Sequence, residues 1–256
     1  MFEPMTREEL VNLVRRVFVP TPEDRGLALM VDLPDAQEGD DPRWTARRET
    51  ALAWTRLLGE AEAELGFPVA LVLYSNVHTN NGDLPDRAWV HAEGPLPAMA
   101  DALDPATAIP MAEVYARYSI FMALTKFSST APLKVAARKH PIRAATMPGF
   151  TEDMIPALRL DYTEVNRRVN ILKALMDQAT GADLCFRHPD GEDRLHLDLR
   201  HRGGHASGGL IPTLGVAGNL PSGEAYMVPY EGEREGDPSR SEGTLPVQFG
   251  DEVVRY

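Results

Sequence analysis

One cysteine in 256 residues, Cys185, leaves no partner for an intramolecular disulfide. It stands in the apolar run Ala182 to Phe186, where a buried, reduced thiol is expected. Long apolar runs are missing too: stretches such as Val69 to Tyr74 are far too short to span a bilayer. The N-terminus, Met-Phe-Glu-Pro-Met-Thr-Arg-Glu-Glu-Leu, has neither the basic start nor the apolar segment of an export signal, so the cytoplasm is the expected compartment and no membrane partner is expected. Basic charge is scarce, with 26 Lys and Arg against 38 Asp and Glu and a net charge of -12. Nucleic acid is therefore not an expected partner, because phosphate binding rests on clustered cations.

What is present is a chain 43% hydrophobic, long enough for one large or two modest cores. Thr6-Arg-Glu-Glu9 reads as a capping box opening a helix to about Phe18. Gly26 to Leu33 is a nearly continuous apolar run, the pattern of a strand covered on both faces. Asp41-Pro42 supplies an N-cap and a first-turn proline, and Trp54, Leu57, Leu58, Ala61 and Leu65 keep helical spacing up to Gly66. Val69 to Tyr74 is a second buried strand, so strand, helix and strand imply a parallel pair with a right-handed crossover. Ser119 to Leu124, a helix over Pro132 to His140 and a strand over Ile142 to Thr146 continue the pattern. The expected fold class is α/β: a three-layer domain with a mostly parallel sheet over residues 1–181.

After Pro148 the pattern changes. Thr151 is placed to cap a short helix, and Val165, Val169, Leu172 and Met176 stripe a longer one that ends at Gly181. Leu184 to Arg187, a turn at Pro189-Asp190-Gly191 and the alternating Arg194 to Arg200 read as an antiparallel hairpin, with Leu195, Leu197 and Leu199 facing a core. Residues 182–256 are expected to begin a β-rich, α+β domain.

Four turn-forming residues in the five from Asn219 to Gly223 precede an alternating stretch, with Ala225 and Met227 on one face and Glu224 and Tyr226 on the other. A carboxylate at the first position of a strand has little freedom to lose on coordinating a cation, which makes Glu224 the candidate metal ligand. The bland reading is a solvated Glu beside a turn. His196 shares the polar face of its strand with Arg194 and Asp198 and reads more readily as solvated than as a ligand. His201 and His205 could chelate zinc only from a helix, and their glycine-rich surroundings argue against one. Lys126, Ser128 and Ser129 follow a strand, with Thr130 placed to cap the next helix; the choice lies between an anion site and an ordinary turn. His78 also follows a strand and carries the same two readings.

The segment Asn219-Leu-Pro-Ser-Gly-Glu224, continued by Ala-Tyr-Met-Val-Pro229, resembles the Asn-Leu-Pro-x-Gly-Glu signature of the aminopeptidase T family of metallopeptidases. Ala145-Thr-Met-Pro-Gly-Phe-Thr-Glu-Asp-Met154 is similar to a second block of that family, and Ala123 to Thr130 to a third. The resemblance implies a homodimeric enzyme that removes N-terminal residues from peptides with two divalent ions, zinc, cobalt or manganese, and implies metal ligation by Glu224. It implies further ligands downstream, whereas no histidine follows Glu224 here. The later carboxylates, Glu231, Glu233, Glu235, Asp237, Glu242, Asp251 and Glu252, lie mostly in a polar loop, and a truncated catalytic part is expected. Two rivals accompany this reading. Ring-cleaving dioxygenases acting on a dihydroxypyridine resemble the same family and would use one iron(II), and a non-catalytic scaffold or binding domain is the other.

Overall fold

In the computed structural model, all residues are described except 1, 2, 93, 190 and 251. The turns expected at Pro189 to Gly191 and at Gly250-Asp251 each include a residue, Asp190 or Asp251, outside that set. The chain divides into two compact units, one of Met1–Val165 with Gly209–Ser222, the other of Asn166–Gly208 with Gly223–Tyr256. Each unit is thus discontinuous in sequence, whereas sequence alone indicated a single boundary near residue 181. The physical reason is a late strand, residues 217–219, that returns to the first unit's sheet.

The first unit is α/β. Its helix α1 (Arg7–Phe18) begins as the capping box requires: Thr6 Oγ1 accepts from Glu9 N at 3.2 Å and Thr6 N donates to Glu9 Oε2 at 2.9 Å. Strand β1 (Leu27–Leu33) is buried at every position. Helix α2 (Pro42–Gly59) is capped by Asp41, whose Oδ1 accepts from Trp44 N at 2.8 Å. The single helix expected up to Gly66 is interrupted after Gly59, and a separate turn, α3 (Glu62–Leu65), ends at Gly66 in the left-handed region. Strand β2 (Val69–Ser75) pairs parallel to β1 along its whole length. Next come β3 (Arg87–His91), β4 (Ile109–Pro110) and α4 (Met111–Arg117). Then β5 (Ile120–Thr125), α5 (Thr130–Lys139) and β6 (Arg143–Pro148) restore the parallel pattern, and α6 (Ile155–Leu158) precedes α7 (Tyr162–Met176), which from Asn166 on belongs to the second unit. Thr151 takes the N-cap position of a short 3-10 turn, Glu152–Met154, as expected, but without a capping side-chain bond; its hydroxyl turns to the Asp153 carboxylate.

The second unit holds the hairpin of β7 (Gly181–His188) and β8 (Gly191–Asp198) and the short β9 (His205–Ser207). Strand β10 (Ala217–Asn219) belongs to the first unit, and β11 (Glu224–Tyr226), β12 (Glu242–Gly243), β13 (Pro246–Phe249) and β14 (Glu252–Arg255) to the second. In the first unit the strand order is β10-β6-β5-β1-β2-β3-β4, parallel from β10 to β2 with β3 and β4 antiparallel at one edge.

Three layers follow from strand alternation. Leu27, Leu29, Val31 and Leu33 pack with Leu10, Leu13, Val14, Trp54 and Leu58 of α1 and α2. Ala28 and Met30 on the other face pack with Val114, Tyr115, Leu133 and Ala136 of α4 and α5. Among the described residues no helix is long and apolar enough to cross a membrane.

The same alternation corrects the expectation for Cys185. On β7, Ala182, Leu184 and Phe186 take one face and Asp183, Cys185 and Arg187 the exposed one, so Cys185 is exposed and its Sγ donates to Glu192 Oε2 at 3.1 Å. Leu199 is buried as expected, and Leu195 and Leu197 are half-buried.

Candidate functional site

Chain order and strand order together mark a place on the first unit's sheet. From β1 the chain moves to β2 on one side, and β5 then joins β1 on the other. The crossovers leave in opposite directions at that point, so the carboxyl ends of β1 and β5 flank the crevice where open α/β sheets bind ligands.

Asp32 stands there, 1% exposed. Its carboxylate accepts from Trp44 Nε1 at 3.2 Å, from Lys126 N at 2.9 and 3.1 Å and from Phe127 N at 3.1 Å. Burial pushes its pKa above the usual carboxylate value against the pull of these donors. Asp32 therefore fixes the turn after β5. Around it, Lys126 Nζ lies 3.4 Å from Glu38 Oε2, 3.9 Å from Asp41 Oδ2 and 4.2 Å from the Trp44 ring centroid. The anion-site reading of Lys126 thus meets an ammonium already facing two carboxylates. His78, at a left-handed φ of 57°, puts Nε2 3.0 Å from Asp35 and Nδ1 3.4 Å from Glu38.

One strand further on, the three sequence blocks meet. Thr130 Oγ1 and Thr146 Oγ1 are 2.9 Å apart, and Asn219 Oδ1 lies 3.0 Å from the first and 2.9 Å from the second. The triangle has a topological cause: β5 lies beside β6, and β10 pairs with β6 in the register Thr146 to Asn219. Thr130 is the first residue of α5, and its hydroxyl serves this triangle; Ser129 takes the cap position without a capping side-chain bond. Ser128 Oγ donates to Asn81 Oδ1 at 3.0 Å.

Glu224 is the first residue of β11, as its turn-then-alternation pattern requires, and pairs across to Ser207 of β9. It is exposed, and among the described residues no ion pair engages it. Its strand neighbour Tyr226 stacks on His205, with ring centroids 5.0 Å apart and planes at 21°. His201 and His205 have separate surroundings: His201, at a φ of 63°, places Nε2 2.9 Å from Asp237 and its ring edge against Tyr230. The glycines between and after them have a packing reason, since a Cβ at Gly204 would come within 3.0 Å of Met176 and one at Gly208 would run into Asn166. His196 Nδ1 lies 2.8 Å from Asp183 Oδ1. Among the described residues no group of three His, Cys, Asp or Glu side chains could hold a metal ion.

No protein-family profile matches this chain, and no curated protein does. Among solved structures it is similar to 2,5-dihydroxypyridine dioxygenase from Pseudomonas putida KT2440. The TM-score is 0.55 at 16% identity, over 95% of this chain and 60% of that one. The likeness is one of fold, and this chain spans 60% of the dioxygenase's length.

Sequence reasoning missed Asp32 and the role of Asn219. The signal for the first was there to read: Asp32 is the single charged residue in the strand Leu-Ala-Leu-Met-Val-Asp-Leu, and a lone ionisable group in a buried run needs an internal partner.

Proposed function

We propose that this chain provides the α/β scaffold, and one ligating carboxylate, of a metal-dependent aminopeptidase acting on peptides. What supports the reading is the convergence of Thr130, Thr146 and Asn219, one from each of three blocks that resemble the aminopeptidase T family, in one hydrogen-bonded triangle. Through Asn219 the turn that leads to Glu224 is tied to the sheet edge. The residues described here do not complete a two-metal site, since Glu224 has no cluster of potential ligands around it. A homodimer and a cytoplasmic location belong to the same proposal.

The fold of the dioxygenase favours a second reading, a ring-cleaving enzyme for a dihydroxypyridine using one iron(II). Metal content and turnover of the protein expressed from its complete coding sequence separate the two. Two zinc, cobalt or manganese ions per chain with release of amine from an aminoacyl anilide is the expected result. One iron with oxygen uptake on a dihydroxypyridine would replace it with the second reading. Unchanged metal affinity in Glu224→Gln would leave Glu224 a solvated surface residue and the chain a scaffold.

A further inference from the structure

Arg47 lies on α2, facing the sheet, and is 4% exposed. A buried guanidinium normally engages most of its five donors. Among the described residues this one makes a single hydrogen bond, from Nε to the Phe150 carbonyl at 3.1 Å, and Nη1 is buried without a partner. No carboxylate forms an ion pair with it; Asp32 and Asp41 act on it only at longer range. Arg47 also lines a cleft of about 230 Å³. One wall is the α2 stripe Pro42, Ala46 and Thr50; the other is Phe150, Thr151 and Glu152. That second wall belongs to the block Ala145 to Met154, whose Thr146 serves the triangle and whose remaining residues have no part in it.

We propose that this cleft binds a small carboxylate-bearing molecule through the Nη1 and Nη2 edge of Arg47. With Nε engaged by a carbonyl, Nη1, closed to solvent in this structure, and Nη2 are the donors left to match the two oxygens of a planar carboxylate. The volume falls below the roughly 300 Å³ at which sites for drug-sized ligands begin, so the ligand is small. Pro42, Ala46 and Phe150 give its hydrocarbon body an apolar wall. Glu152 at the rim, partly offset by Arg43, disfavours a doubly charged anion such as phosphate. The inference concerns the first unit alone and stands whatever ion Glu224 meets.

Calorimetric titration of the 256-residue chain with benzoate, with its neutral isostere benzamide and with inorganic phosphate tests it. Saturable benzoate binding is expected, with benzamide and phosphate each at least about tenfold weaker, the equivalent of one lost charged hydrogen bond. Arg47→Lys keeps the charge but loses the fork and should weaken benzoate by about tenfold. Glu152→Gln leaves the buried structure untouched and should tighten benzoate by about threefold, as removal of one solvated like charge does. No saturable benzoate binding, equal binding of benzamide or phosphate, or an unchanged affinity in Arg47→Lys overturns the proposal. Should Arg47→Lys fail to fold, Glu152→Gln decides, and an unchanged benzoate affinity there overturns it as well.

Discussion

Two regions of this chain, the sheet of the first unit and the β7–β8 hairpin of the second, hold charge differently. In the first, Asp24 and Arg143 meet at 2.7 Å with side chains only 3% exposed, and Asp32 is spent on backbone and indole donors. In the second, most ion pairs sit on the surface, as with Arg187 and Arg194 beside Glu192. An apolar sheet covered on both faces makes an unpaired buried charge costly, whereas a hairpin with one open face leaves its charges to water. The difference teaches where chemistry can be built. Asp24, Arg143 and Asp32 in the first unit are already committed to structure, whereas Glu224, in the second, is exposed and meets no ion pair among the described residues.

The largest expected effect breaks an enclosed pair. Arg143→Ala strands the Asp24 carboxylate, which keeps only the Ser119 hydroxyl at 2.7 Å and the Thr21 amide at 2.8 Å. The cost should be about 3–5 kcal/mol, as for other buried pairs that lose one partner. The surface counterpart, Arg187→Ala, should leave the melting temperature unchanged. Denaturant unfolding of the two variants measures the contrast, and equal losses would erase it.

Next in size is the sheet-edge triangle. Asn219→Ala removes the acceptor shared by Thr130 and Thr146 and should cost about 1–3 kcal/mol. Thr146→Val should cost a similar amount, and the double variant less than the sum, because the two share one network. A strictly additive pair would mean that the three blocks are neighbours without being coupled.

How much of this could be read from sequence follows from the same contrast. The order β1, α2, β2, β5, α5 and β6 was legible because strands covered on both faces are continuous apolar runs, and the fold class followed from it. The strand Arg87–His91, next to the sheet's edge, was not, since it is short, mixed in character and half-buried. Cys185 was misplaced because the run Ala182 to Phe186 contains Asp183, and a hairpin alternates where a covered strand does not. Of the site, the blocks could be seen, and the side chains that join them could not: contact between Thr130 and Asn219 spans 89 positions and is created by strand order. Arg47 left no trace either, because burial of an arginine on α2 depends on what packs over it.

A smaller effect tests packing rather than charge. Amides of β1 and β5, paired on both sides and wholly buried, should exchange only on global unfolding. Those of β13 and β14, a two-stranded pair with Phe249 and Val253 exposed, should exchange much earlier in a native-state hydrogen-exchange experiment. Matched protection would mean one cooperative body and would remove the contrast.

The finest test uses pH, because Asp32 and Asp198 should tilt stability in opposite directions. Burial raises the pKa of Asp32, so the folded chain holds this proton more tightly than the unfolded chain does. Its contribution is present in acid and declines as pH rises through the interval from the ordinary carboxylate value to the raised one. The hydrogen bonds from Arg200 hold Asp198 well below the usual range against the effect of burial, with help from the amides of Arg240 and Arg200. Its contribution is present above the ordinary value and declines as pH falls below it. Asp32→Asn should therefore flatten the loss of stability on the alkaline side of pH 4, and Asp198→Asn the loss on the acid side. Unfolding curves recorded at several pH values read both slopes at once. If both substitutions flatten the same limb, Asp32 is held ionised by its donors, and the enclosed charges of the first unit behave like the paired charges of the second.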